Sequence, residues 1–224
     1  MDLSRHINVR WLKPPVFLLC LVPLAHLVWM GFHDELGANP VEYITHSTGT
    51  WTLVALCVTL SIMPLRRILE QNWLIRFRRM FGLFAFFYGS LHFLTYIWVY
   101  SGFDVHAMID DVYKRPFITA GFTAYVLMIP LALTSTGGMI RRLGGRRWQL
   151  LHELIYVSAT AGAIHYYWLV KSDERVPLRF AAVVALLLGY RAIFYFFERQ
   201  EKAGAKRTQR EPVLSSPRSS QPVP

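Results

Sequence analysis

The sequence predicts an all-α membrane protein, a six-transmembrane-helix bundle with both termini cytoplasmic. Three observations carry that reading. Of the 224 residues, 54% are apolar and only 17% are charged, against about a quarter charged in ordinary soluble domains. Six apolar runs recur along the chain, each close to the roughly 20 residues that an α-helix needs to cross a bilayer. Between them lie short segments rich in charge, Gly and Pro, which stop helices.

The runs are Pro15 to Phe32, Thr48 to Leu65, Met80 to Ser101, Phe117 to Thr134, Leu150 to Val170 and Pro177 to Phe197. At these lengths only helices satisfy their own backbone in hydrocarbon, because a barrel is built from alternating segments of about 10 residues. The first run follows Arg5, Arg10 and Lys13 as a secretory signal would, but no small-residue cleavage pattern follows it, and it reads as a retained first helix. Three regions result: a cytoplasmic N-terminus over 1–14, the membrane bundle over 15–198, and a polar Pro/Ser-rich tail over 199–224 whose composition predicts disorder. The spans leave no length for an additional soluble catalytic domain. Cys20 and Cys57 each fall inside a run and form no CxxC pair.

Charge orients the bundle. The N-terminus, the second and fourth loops and the tail hold 3, 5, 4 and 6 of the 24 Lys and Arg, which places that side in the cytoplasm by the positive-inside rule. Asp34, Glu35, Glu42, Asp104, Asp110, Asp111, Asp173 and Glu174 lie on the other side. The net charge of +10 is therefore a topology signal, since the basic residues flank the membrane and do not gather on one soluble face, as nucleic-acid binding requires.

Three histidines fall within the apolar runs of the third and fifth helices: His92, His152 and His165. An ionisable ring in hydrocarbon is a functional candidate by default, and imidazole is a common axial ligand of haem iron. His92 is about 12 residues into its span and His165 about 15 into its own. The helices run in the same direction, so the two heights differ by only about 5 Å. The pair is positioned to hold one six-coordinate b-type haem between helices 3 and 5. His152 lies 13 residues before His165, roughly 20 Å lower on an ideal helix. At its height the third helix offers Arg78 and Arg79 and no fourth histidine. His152 thus reads either as ligand to a second haem with an unusual or open sixth position, or as part of another cofactor site.

Several neighbours have two readings each. Gly89 and Gly162 precede His92 and His165 by three residues, where a missing side chain leaves room for a flat macrocycle or lets helices approach closely. His46, at the outer entrance to the second span, suits a quinol headgroup, a haem propionate or a helix cap. Arg115, at the outer entrance to the fourth, suits a propionate or topology. Arg78 and Arg79, and the four arginines preceding Trp148, suit a flavin phosphate and ring, or anionic lipid headgroups.

The runs RRLGGRRWQLLHELIY, IHYYWLVK, RFRRMFGLFAFFYGSLHFLTY and KRPFITAG together resemble the MsrQ family. Its members are haem-binding membrane subunits of a bacterial periplasmic methionine sulfoxide reductase system. The resemblance runs from about Trp11 to Phe197. That family is part of a wider ferric-reductase-like group of six-helix proteins, in which histidines on two helices hold two stacked haems. Here Arg78 or Arg79 stands where the fourth histidine would be. The resemblance implies a multi-pass protein of the bacterial inner membrane. It would take electrons from the quinone pool, or from a cytoplasmic flavin reductase, and pass them through haem b and FMN to MsrP, a periplasmic molybdopterin enzyme that reverses methionine oxidation. The catalytic reduction would then lie on the partner. The competing reading is a stand-alone ferric or superoxide-type transmembrane haem reductase fed by a cytoplasmic flavin reductase.

Overall fold

The computed structural model describes residues 9–170 and 173–208. Among them the chain forms nine α-helices, and no strand occurs. Two compact units emerge, Met1–Leu188 and Gly189–Pro224. In the second, the rings of Tyr190 and Phe194 pair one helical turn apart at 4.4 Å. All packing described below is within the first.

Helix α1 spans Val9–Phe32 and contains Pro14, Pro15 and Pro23. Helix α2 spans Pro40–Ile68, so it begins eight residues before the expected start at Thr48. The cause is local: the Asn39 side chain accepts from the Glu42 backbone N–H, and Pro40 occupies the first helical position, which is the usual chemistry of a helix start. His46 consequently stands inside a helix rather than in an entrance loop. A short 3₁₀ turn, Asn72–Leu74, leads into α3, Ile75–Thr95. The chain then widens into a π turn over Tyr96–Tyr100, closed by a bond from the Ser101 N–H to the Tyr96 carbonyl.

An amphipathic helix α4, Val105–Lys114, capped by Asp104, connects to α5, Pro116–Leu133. Two short helices follow, α6 over Gly137–Leu143 and α7 over Gly145–His152, separated at Gly144, where φ is +76°. Helix α8 spans Leu154–Leu169 and α9 spans Arg175–Thr208. The N-terminal residues 1–8 and the tail from 209 onward lie outside the described residues, and α9 continues past the expected tail boundary at 199.

Among the described residues five helical stretches are long and apolar enough to cross a membrane: Val9–Phe32, Pro40–Ile68, Asn72–Tyr100, Pro116–Leu133 and Arg175–Glu201. The fifth expected run, Leu150 to Val170, is not one continuous helix. It breaks at Glu153, where N–H groups reach back only three residues, from Glu153 to Leu150 and from Tyr156 to Glu153. The 16 residues of α8 are about 24 Å long, against a hydrocarbon core of about 30 Å. The break also removes a geometric difficulty. On one ideal helix His152 and His165 would face different ways, whereas here they belong to separate helices with separate axes.

α2 packs chiefly on α3, and α5 on α8. The core between them is Leu53, Leu56 and Leu60 of α2, Ala85 of α3, Met128 and Leu131 of α5, and Ile155, Ala159 and Ala163 of α8, joined by Val184 of α9. Small residues set the close α5–α8 approach. Ala159 is fully buried, and the fully buried Ser158 hydroxyl donates to the Ala124 carbonyl across the interface at 2.8 Å. Small side chains and interhelical hydrogen bonds are how helices associate where apolar burial gives no advantage over lipid.

Candidate functional site

The α2–α3 and α5–α8 pairs enclose a cavity of about 460 Å³, well within the range of roughly 300–1,000 Å³ typical of small-molecule sites. His92 of α3 and His165 of α8 both line it, their ring centroids 6.0 Å apart and their planes at 75°. Two metal–imidazole bonds of about 2 Å each, with half a ring at either end, fill about that separation.

Hydrogen bonds define which nitrogen each ring has available. His92 Nδ1 donates to the Thr45 carbonyl of α2 at 2.9 Å, and His165 Nδ1 donates to the Phe117 carbonyl of α5 at 2.6 Å. A carbonyl oxygen only accepts, so each Nδ1 carries the proton, and the neutral ring presents its lone pair at Nε2. Metal-binding histidines are held in this way, with the other ring N–H tied to a carbonyl or carboxylate.

The helices α2 and α5 contribute a second feature in the same place. Four residues after each acceptor carbonyl stands a glycine, Gly49 after Thr45 and Gly121 after Phe117. A Cβ at Gly49 would lie 3.1 Å from His92 Nδ1 and Cε1, and one at Gly121 would lie 2.7 Å from His165 Nδ1. These two residues are absent from the sequence reading, which singled out Gly89 and Gly162. Their sequence signal was slight, a glycine near the start of the second and of the fourth apolar run. Gly89 and Gly162 do line the cavity, yet a Cβ on them would first meet Met128 at 3.1 Å and Leu53 at 3.2 Å. They therefore serve helix contact as well as cavity shape.

At one end of the cavity Tyr96, Asp111 and Arg115 form a polar cluster. The Tyr96 hydroxyl donates to Asp111 Oδ2 at 3.2 Å, and Arg115 Nε lies 3.2 Å from Asp111 Oδ1. Tyr96 and Tyr100 both line the cavity from the π turn, a local widening often found at functional sites. His46 also lines it, with Nε2 3.9 Å from Glu42 Oε1 in an exposed i,i+4 pair. The Phe93 and Tyr125 rings, 4.6 Å apart, form part of the wall.

The remaining sequence candidates stand elsewhere. His152, at the end of α7, does not line this cavity. Its ring stacks on Trp148 with centroids 3.9 Å apart, and its Nε2 lies 3.1 Å from Thr134 Oγ1. That hydroxyl already donates to the Pro130 carbonyl at 2.6 Å, so His152 Nε2 is the donor. Trp148 Nε1 donates to the Thr134 carbonyl at 2.9 Å. Arg78 and Arg79 are near enough for their charges to act on His152. The three histidines thus divide into two that present Nε2 to a common cavity and one that has committed it to a threonine.

Among the described residues no group of three or more His, Cys, Asp or Glu side chains converges on a point. Two imidazoles facing a cavity with apolar walls suit a metal that brings its own in-plane ligands, as haem iron does. The residues fit that group.

Comparison with known proteins agrees with this architecture. Residues 47–163 match the family described as ferric reductase like transmembrane component. A protein of Ralstonia nicotianae is 56% identical over 82% of this chain and 86% of its own length, and one of Herminiimonas arsenicoxydans is 53% identical over 87% and 89%. One of Azospira oryzae is 47% identical over 95% of this chain and 88% of its own length. All three bear the name protein-methionine-sulfoxide reductase heme-binding subunit MsrQ. With its apolar helices, its family match and relatives of this identity along nearly all their length, this multi-pass membrane protein belongs to the MsrQ family.

Proposed function

We propose that this chain is the membrane electron-transfer subunit of a protein-methionine-sulfoxide reductase system, carrying electrons from the quinone pool through b-type haem and FMN to the periplasmic molybdopterin enzyme MsrP. The observation that carries the reading is the His92–His165 pair, two rings 6.0 Å apart at one cavity, each with Nδ1 tied to a backbone carbonyl. The names of the relatives supply the haem and the reductase system.

Bound haem supplies a one-electron iron couple. The chain's part is to hold and insulate it. His92 and His165 would hold the iron through Nε2, and a site with two histidine ligands would favour electron transfer over oxygen binding. Arg115 and His46 both line the cavity and would offer polar contacts to a haem propionate. Apolar walls from Leu53, Leu56 and Phe122 keep the dielectric low around the site.

The bundle is read as six spans with both termini in the cytoplasm of the bacterial inner membrane, α8 forming the fifth span. The cavity then lies toward the periplasm, where the partner receives electrons. On the cytoplasmic side Trp148, Arg78 and Arg79 provide a ring and cations suited to a flavin phosphate, and His152 belongs to that site or to a second haem. The test is haem and flavin quantification on the purified protein, followed by quinol oxidation with and without the partner. Oxidation that depends on the partner is the expected result. Reduction of ferric iron or oxygen without it would instead identify a stand-alone reductase, as the ferric-reductase-like family match allows.

A further inference from the structure

We propose that Gly49 and Gly121 are positioning residues that fix the two imidazoles in a crossed arrangement, so that haem held between His92 and His165 has nearly perpendicular axial ligand planes. The proposal rests on the bis-histidine reading above and adds to it what sets the ligand geometry.

Both glycines sit inside apolar helices, where glycine costs about 1 kcal/mol relative to alanine. Neither has a positive φ, so backbone freedom is not the reason for it. Space is the reason. A Cβ at Gly121 would stand 2.7 Å from His165 Nδ1 and 2.9 Å from Cε1, closer than such atoms approach in proteins. At Gly49 the distances to His92 Nδ1 and Cε1 are both 3.1 Å. Gly82, on the same helix as His92, differs: its Cβ would meet only a Thr59 methyl at an ordinary 3.8 Å.

Each imidazole therefore touches its neighbouring helix at two points one turn apart. The carbonyl of Thr45 or Phe117 holds Nδ1, and the bare backbone of Gly49 or Gly121 receives the ring edge. A hydrogen bond alone leaves the ring free to swing about it, and a flat contact alone leaves it free to slide. Together they fix tilt and direction. Because α2 orients one ring and α5 the other, the planes stand at 75° to each other.

Crossed planes have an electronic signature. When axial imidazoles are parallel, their π overlap separates the two iron orbitals perpendicular to the haem plane, and the ferric low-spin resonance shows three resolved components. When the planes are crossed those orbitals remain nearly equal in energy, and the resonance collapses to a single strongly anisotropic feature at large g.

The experiment uses the full-length, haem-loaded protein in detergent, with haem stoichiometry, haem affinity and low-temperature electron paramagnetic resonance as readouts. The unsubstituted protein should give the single large-g feature. Gly121→Ala should weaken haem binding by about 10- to 100-fold, the range seen when an outer partner of a metal-bound histidine is lost. Gly49→Ala needs a shift of only a few tenths of an ångström, so it should retain haem while its resonance moves toward three resolved components. Gly82→Ala should match the unsubstituted protein in every readout. A three-component resonance from the unsubstituted protein overturns the proposal, as does wild-type affinity and resonance in both Gly49→Ala and Gly121→Ala. If Gly121→Ala does not accumulate, the resonance of Gly49→Ala decides. His92→Ala and His165→Ala separate the two levels: haem retained in these variants sinks the bis-histidine reading itself, whereas haem lost here but unaffected in the glycine variants sinks only the positioning role.

Discussion

Trp148 and His152, one turn apart on α7, stack with ring centroids 3.9 Å apart, and both reach the same residue, Thr134 at the end of α5. His152→Ala removes the stack and one side-chain hydrogen bond, each worth about 1 kcal/mol. The haem that His92 and His165 are proposed to hold is expected to survive, with its Soret position unchanged. Haem and flavin quantification on this variant tells which group His152 serves. A drop in haem per protein assigns it to a second haem, and a drop in flavin assigns it to FMN.

His92→Ala and His165→Ala are each expected to abolish low-spin haem absorbance in purified protein, because one imidazole cannot saturate both axial positions. An unchanged Soret band in either variant would falsify the ligand assignment.

Arg115→Ala should weaken haem retention by roughly tenfold, the effect of losing one charge-assisted hydrogen bond of about 1.5 kcal/mol. Arg115→Lys should recover only part of it, since an ammonium lacks the guanidinium fork. Equilibrium transfer of haem to an acceptor protein measures both. Equal retention in all three forms would assign Arg115 to its Asp111 contact and to topology alone.

Ser158→Ala leaves the Ala124 carbonyl without its cross-helix donor. Interhelical hydrogen bonds in membranes contribute about 0.6 kcal/mol on average and up to about 1.7, so a fall in thermal midpoint of a few degrees is expected. Ser158→Leu should be far worse, because Ser158 and Ala159 are fully buried against α5 and no space exists for the larger side chain. Thermal unfolding monitored by size exclusion distinguishes the two.

Much of the site was legible because depth in a membrane helix follows directly from counting residues. Counting brought His92 and His165 to similar heights, and the structure lines one cavity with both. Counting says nothing about rotation or about what the neighbouring helix presents. Gly49 and Gly121 matter through their relation to a ring on another helix, which packing alone determines. The break at Glu153 was hidden for a related reason: His152 and Glu153 are flanked on both sides by apolar residues, and hydropathy does not register a change from four-residue to three-residue backbone bonding. The early start of α2 was the opposite case. Asn39 and Pro40 are strong local signals, overlooked because the segment after them is too polar to read as membrane.

The paired niches also bear on how the protein is made. The half-site on α2 and α3 comes from helices adjacent in the chain, and the half-site on α5 and α8 is supplied by later ones. As the polypeptide leaves the ribosome, Thr45, Gly49 and His92 have all been synthesised before Phe117, Gly121 and His165. The order of helices in the chain thus makes the niche of His92 complete in sequence before any part of the niche of His165 exists.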